Sequence, residues 1–241
     1  LDPLHQFNIV PLLGIQIGGL NLSFTNSAFW MLITVLLAYG LVMAGSRQRA
    51  LVPGRLQSIV ELGYEFVAGM VRDNAGKEGM RYFPVIFSLF MFVLIGNLVG
   101  MLPIPGHFTF TSHIIVTFFM AVCVIIGVTV VGFMVHGTHF LHFFVPPGAP
   151  KLMIPIMVPI EILSYLVRPI SLSVRLFANM MAGHTMMAVF VGFIGLMGIF
   201  GIAPLLMVAV LTAFEIGIAI IQAYIFTVLT CLYLHDALHM H

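Results

Sequence analysis

From Tyr82 to Leu102 the sequence contains no charged side chain and a single amide, Asn97. A run of that length and character marks a helix that crosses a bilayer, because lipid satisfies no backbone polar group and the helix must satisfy its own. Two similar runs flank it. Ala28 to Ala44 is uncharged, opens near Trp30, and is stopped by Arg47, Arg49, Pro53, Gly54 and Arg55; His113 to Val135 is the other. Over the 241 residues, 61% are hydrophobic and 7% charged. A soluble domain carries roughly a quarter charged residues, so this is an integral membrane protein. The net charge of +1 has no basic cluster behind it and excludes a nucleic-acid partner.

The remaining spans are less regular. Leu152 to Leu196 would be roughly 65 Å long as one helix, against a hydrocarbon core of about 30 Å. It must tilt, bend at Pro155, Pro159 or Pro169, or split into two spans, which would invert the C-terminus. Hydropathy leaves both options open. Gly198 and Gly201 then make a turn before a last helix from Pro204 to His235. Between Leu56 and Met70, apolar residues recur at helical spacing while Glu61 and Glu65 share another face, which predicts an amphipathic helix at the membrane surface. Arg72 to Arg81, with its charges and glycines, reads as a loop, as does the Pro-, Gly- and His-rich stretch from His136 to Lys151.

The predicted architecture is an all-α polytopic membrane protein with about five spanning or steeply tilted helices, one interfacial amphipathic helix and a long C-terminal helical hairpin. Its parts are an N-terminal segment (1–27), a first span (28–46), the amphipathic helix (56–71), a central helix pair (82–135) and the hairpin (152–236), all in one integral membrane domain. Leu1 to Phe7 lacks the basic-then-apolar order of a signal peptide, so the first apolar run is expected to remain in the mature protein. Cys123 and Cys231 lie in apolar runs and read as packing residues, with no disulfide or zinc framework.

Of the nine Lys and Arg, all but one flank the same membrane face, which the positive-inside rule makes cytoplasmic. The exception is Arg175, inside EILSYLVRPISLSVRLFANMMAGH (161–184). A guanidinium cannot lose its proton to escape burial, so it needs an anion or water. If the chain folds back near residue 199, Arg175 lies level with Gln222 or Ala223, His184 with Phe214 or Glu215, and Glu161 with Ala237. No acid of this chain is then level with Arg175, and a carboxylate on another subunit is the simplest partner.

His184 and Glu215 at matching depth form either a proton relay or a structural pair. Asn179, one turn from Arg175, is expected to bond near it. Asn97 serves an interhelical hydrogen bond or a channel equally well. Glu161, with Ser164, marks either the mouth of an aqueous path or a solvated helix end. Arg168 reads as a side chain snorkelling to the interface. His136, His139 and His142 suggest a metal, but they sit in a loop with no second histidine-bearing helix at their depth; His235 and His239 read as solvated. No cofactor is expected.

The segment RPISLSVRLFANMMAGH, followed about forty residues later by EIGIAIIQAYIFTVLTCLYL, resembles subunit a of the F-type ATP synthase membrane sector, bacterial and alphaproteobacterial-like. PGRLQSIVELGYEF and the stretch from Asn97 to Pro103 add a weaker likeness. The resemblance implies a non-catalytic, proton-translocating stator in a hetero-oligomeric complex of the bacterial inner membrane, with the N-terminus periplasmic and the C-terminus cytoplasmic. Its partners would be a ring of small proton-carrying hairpin subunits, peripheral-stalk subunits and lipid.

Carried over by residue, Arg175 would engage the ring carboxylate, with Asn179 and Gln222 as polar neighbours. Asn97, His184 and Glu215 would line the half-channel from the positive side, and Glu161 would belong to the other. Many bacterial members hold an acid where His184 stands and a histidine where Glu215 stands; here the two are exchanged. Two other classes share the composition. A self-contained proton-coupled transporter would show two related halves, and no internal repeat is present; a haem-anchoring respiratory subunit would carry a pigment spectrum.

Overall fold

The computed structural model describes residues 10–14, 16–17, 20–21, 23–47, 53–101, 109–145 and 153–239. The turn expected around Pro103 with His107, and the charged residues Asp2, Arg49 and Lys151, lie outside them. Among the described residues, six α-helices carry the fold: α1 (Asn26–Ser46), α2 (Arg55–Gly79), α3 (Phe83–Gly100), α4 (Ile114–His136), α5 (Ile154–Met197) and α6 (Ile202–Leu238). Short 3-10 turns at Met80–Tyr82, Phe110–Ser112, Gly137–Phe144 and Gly198–Gly201 lead into or out of them. Among the described residues, five helical segments, 26–46, 55–100, 114–140, 154–197 and 202–238, are long and apolar enough to cross a membrane.

Two local expectations need correction. The charged stretch from Arg72 is no loop: α2 runs on to Gly79, and only Gly76, at φ 71°, leaves the helical region. Tertiary burial overrides its polar look, because Val71 and Ala75 are fully buried while Arg72, Asp73, Lys77 and Glu78 point outward. The histidine-containing stretch after α4 begins as a 3-10 turn, held by Phe140 against α4; a Cβ at Gly132 would overlap Phe140 Cε2 and stand 2.6 Å from its Cδ2. The N-terminal segment contains two small antiparallel ladders, β1 (Pro11–Leu13) with β4 (Phe24–Thr25) and β2 (Gln16–Ile17) with β3 (Leu20–Asn21).

The segment of ambiguous length is one helix of 44 residues, with Pro159 and Pro169 inside it. The two-span alternative is therefore excluded. At 1.5 Å per residue it is roughly 66 Å long, so a bilayer of about 30 Å contains it only at a steep tilt.

Helix α6 is the hub, packing against α2, α3, α4 and α5. Its buried positions, Glu215, Ala219, Gln222, Ala223, Phe226, Thr227, Thr230, Cys231 and Leu234, recur at three- and four-residue steps. Small residues dominate that stripe. Lipid tails are as apolar as leucine, so helix association in a bilayer rests on close packing and hydrogen bonds rather than on water exclusion, and small side chains bring backbones near. The outer face of α5 is apolar and uncovered by this chain, with Ile156, Ile160, Leu163, Val167, Ile170 and Val174 all exposed.

Candidate functional site

A polar seam runs where α3, α5 and α6 meet. Asn97, near the end of α3, is fully buried and donates Nδ2 to the Ala219 carbonyl of α6 at 3.5 Å, while its Oδ1 receives no hydrogen bond. Gln222, seven residues beyond Glu215 on the buried stripe of α6, accepts a hydrogen bond from Asn179 Nδ2 of α5 at 3.1 Å. The Gln222 Nε2 is buried without a partner.

Glu215 is 5% exposed, and neither of its carboxylate oxygens receives a hydrogen bond. It presses on the bare backbone of Gly183, and a Cβ there would overlap Glu215 Oε1. Burying a carboxyl with no donor costs several kcal/mol unless it is protonated or meets water. Such a group at membrane depth is a mark of function.

His184 is adjacent to Gly183 in sequence, so it and Glu215 share a depth, as strict folding at residue 199 requires. They are not hydrogen-bonded to each other. The His184 Nε2 instead lies 3.2 Å from Thr109 Oγ1, and Thr109 Oγ1 donates to the Gly100 carbonyl at 3.1 Å. Thr109, Thr111 and Ser112 are all buried. Sequence reasoning missed this cluster, although its signal was present: TFTSH is a dense polar patch between two apolar runs.

Arg175 sits midway along α5 on a flank of the helix, and its side chain is exposed on the outer surface of this chain. Among the described residues it makes no hydrogen bond and no ion pair. Glu161, Arg168 and Arg175 are spaced by sevens and so fall on nearly the same flank. Glu161 is partly buried and Ser164 exposed. Arg168 is held within the chain: its Nη1 pairs with Asp236 Oδ2 at 3.2 Å, and its guanidinium lies 5.4 Å from the Tyr165 ring centroid and 5.1 Å from that of Tyr233.

The mirror about residue 199 would have placed Arg168 opposite Thr230 and Asn179 opposite Ala219. Each instead reaches further along α6, to Asp236 and Gln222. Asn179, rather than Arg175, thereby becomes the partner of Gln222.

The histidines outside the seam do other work. His136 Nε2 lies 3.1 Å from the Leu238 carbonyl, tying the end of α4 to the end of α6, and the His235 and His239 rings stack at 4.5 Å. Among the described residues no three His, Cys, Asp or Glu side chains converge as metal ligands.

A bundle of membrane-length helices that encloses a partnerless carboxyl, a histidine and several amides between its two longest members, with a fixed cation on the outer side, defines a class of membrane protein that moves ions. The ATP synthase A chain family matches residues 28–235. ATP synthase subunit a of Parvibaculum lavamentivorans is 56% identical over 99% of this chain and 94% of its own length. The proteins of the same description from Paramagnetospirillum magneticum and Rhodospirillum rubrum are each 54% identical, over 100% of this chain and 99% of their own. The chain belongs to the ATP synthase A chain family, as a non-catalytic, proton-translocating membrane subunit.

Proposed function

We propose that this chain provides two offset aqueous half-channels to and from the carboxylates of a rotating ring of small hairpin subunits, and so couples proton flow to ATP synthesis. The observation that carries the reading is the separation of two polar sets across α5. Glu215, Asn97 and Gln222 are buried inside the bundle, while Arg175 faces outward from mid-helix with no counter-ion in its own chain among the described residues. An arginine at the centre of a span costs about 2.5–3.5 kcal/mol even on insertion scales, and a carboxylate brought by a neighbouring subunit offsets that.

Protons enter through the seam of His184, Glu215 and Asn97, load a ring carboxylate, travel with the ring, and leave past Glu161 with Ser164 beside it. Arg175 cannot carry a proton, so it stands as a permanent positive barrier that forces release and blocks a direct leak. Asn179 and Gln222 hold the α5–α6 spacing beside it. The membrane potential supplies about 2.3 kcal/mol per 100 mV for each proton. The apolar outer face of α5 suits a sliding contact with ring helices, and Ser171, Ala178 and Ala182 keep the surface around Arg175 low.

The setting is the bacterial inner membrane, with the N-terminus periplasmic, the C-terminus cytoplasmic, and peripheral-stalk subunits completing the complex. Arg175→Ala should abolish proton-driven ATP synthesis in membrane vesicles while the complex still assembles. Full coupling in that variant would remove the basis of the reading.

A further inference from the structure

Helix α5 carries two arginines seven residues apart on nearly one flank, and their surroundings are opposite. Arg175 is exposed on the outer surface, whereas the side chain of Arg168 is 20% exposed and turned against α6. Three groups hold Arg168 there. Asp236 Oδ2 accepts from its Nη1 at 3.2 Å, and the rings of Tyr233 and Tyr165 stand 5.1 and 5.4 Å from the guanidinium, centroid to Cζ. Tyr165 is itself tied down, its hydroxyl 2.6 Å from Thr129 Oγ1 of α4. A planar, weakly hydrated guanidinium suits aromatic faces, so the rings fix the direction of the side chain as well as its charge.

The tilt of α5 makes that direction matter. Seven residues advance about 10 Å along a helix axis. In a helix of roughly 66 Å held within a bilayer of about 30 Å, only about 5 Å of that advance is depth, and about 9 Å runs in the membrane plane. Arg168 therefore stands beside Arg175 more than below it. Tyr233 lies within electrostatic reach of both guanidinium groups, which places the clamp next to the Arg175 position. A carboxylate carried past Arg175 in the membrane plane also passes the flank that Arg168 would occupy if it swung outward. Neither arginine can lose its charge, so two outward cations would offer that carboxylate two stations in place of one.

We infer that Asp236, Tyr233 and Tyr165 are positioning residues that hold Arg168 off the outer face of α5, so that Arg175 alone meets the ring carboxylate. The inference rests on the proton-path reading above and adds a specificity device to it. The choice between two arginines on one flank is made by the acid and the two rings that face Arg168.

The test uses the assembled complex in membrane vesicles, with proton-driven ATP synthesis read per amount of assembled complex. Asp236→Asn together with Tyr233→Leu frees Arg168 while keeping its charge and the Tyr165–Thr129 contact, and synthesis is expected to fall about ten-fold. Adding Arg168→Gln removes the freed cation and should return synthesis to within two-fold of the parent. A clamp that only braced the helices would give the opposite sign, because the loss of Arg168 would add to the damage.

Parental synthesis in the double variant would overturn the inference, as would a triple variant no faster than the double. If the double variant does not assemble, Tyr233→Leu with and without Arg168→Gln decides by the same sign: a gain from the second substitution upholds the inference, and no gain sinks it. Arg175→Ala in the same vesicles separates the two levels. Full synthesis in that variant removes the proton-path reading itself, whereas its loss beside a triple variant as slow as the double sinks only the role of the clamp.

Discussion

The tightest contact in the seam is between Glu215 and the backbone of Gly183, and adding one methyl group there tests whether the carboxyl must stand where it does. In Gly183→Ala the new Cβ would lie 2.6 Å from Cδ and 2.9 Å from Cγ of Glu215, and would overlap Oε1. Carbon atoms in ordinary contact are about 3.5–4.0 Å apart, so the carboxyl must retreat by about 1 Å. Overpacking of this kind typically costs about 1–3 kcal/mol. A displacement of 1 Å in a reacting group can cost about a hundred-fold in rate.

The same substitution favours the helix itself by up to about 1 kcal/mol, so the subunit should still fold and assemble. The expected outcome is a ten- to hundred-fold loss of respiration-driven ATP synthesis in inverted vesicles, at normal amounts of assembled complex by immunoblot. Gly127→Ala on α4, where no atom stands within 4 Å, is the control and should leave synthesis unchanged. Shortening the acid in Gly183→Ala with Glu215→Asp should recover part of the rate, because the missing methylene gives back the space. Parental synthesis in Gly183→Ala alone would refute the claim that the position of Glu215 matters to proton flow.

The Asn179–Gln222 hydrogen bond should show in a double-mutant cycle with leucine at each position, read as synthesis rate. Interhelical side-chain bonds in membranes average about 0.6 kcal/mol, a factor of about three, and strictly additive single losses would deny the coupling. The Arg168 clamp should be worth more through its rings than through its ion pair. Asp236 is 38% exposed on its side chain, so the pair contributes about 0–1 kcal/mol, against about 0.5–1 kcal/mol for each of two cation–π contacts. Arg168→Gln should therefore lower the temperature at which the subunit leaves the purified complex by more than Asp236→Asn does; equal losses would reverse that ranking.

Charge and hydropathy are local properties, and they determined a good deal by themselves. The membrane-spanning runs, a turn near Gly198, and the short roll of polar residues that cannot face lipid unaided are all written in the order of residues, whereas the choice of one long α5 over two spans came from the structure. Arg175, Glu215 and Asn97 stand out because lipid makes every polar side chain at depth conspicuous. Depth and facing are another matter, since they depend on how helices cross. The packing of α5 on α6 took Gln222 to Asn179 and Asp236 to Arg168. The continuation of α2 through Arg72 to Gly79 needed Val71 and Ala75 to find a neighbour to bury them. Only the tertiary structure could bring Thr109 across seventy-five positions to His184, because the seat that holds it is cut by two glycines on a third helix, and the fit of a turn into a groove is not a periodicity that a one-dimensional sequence can display.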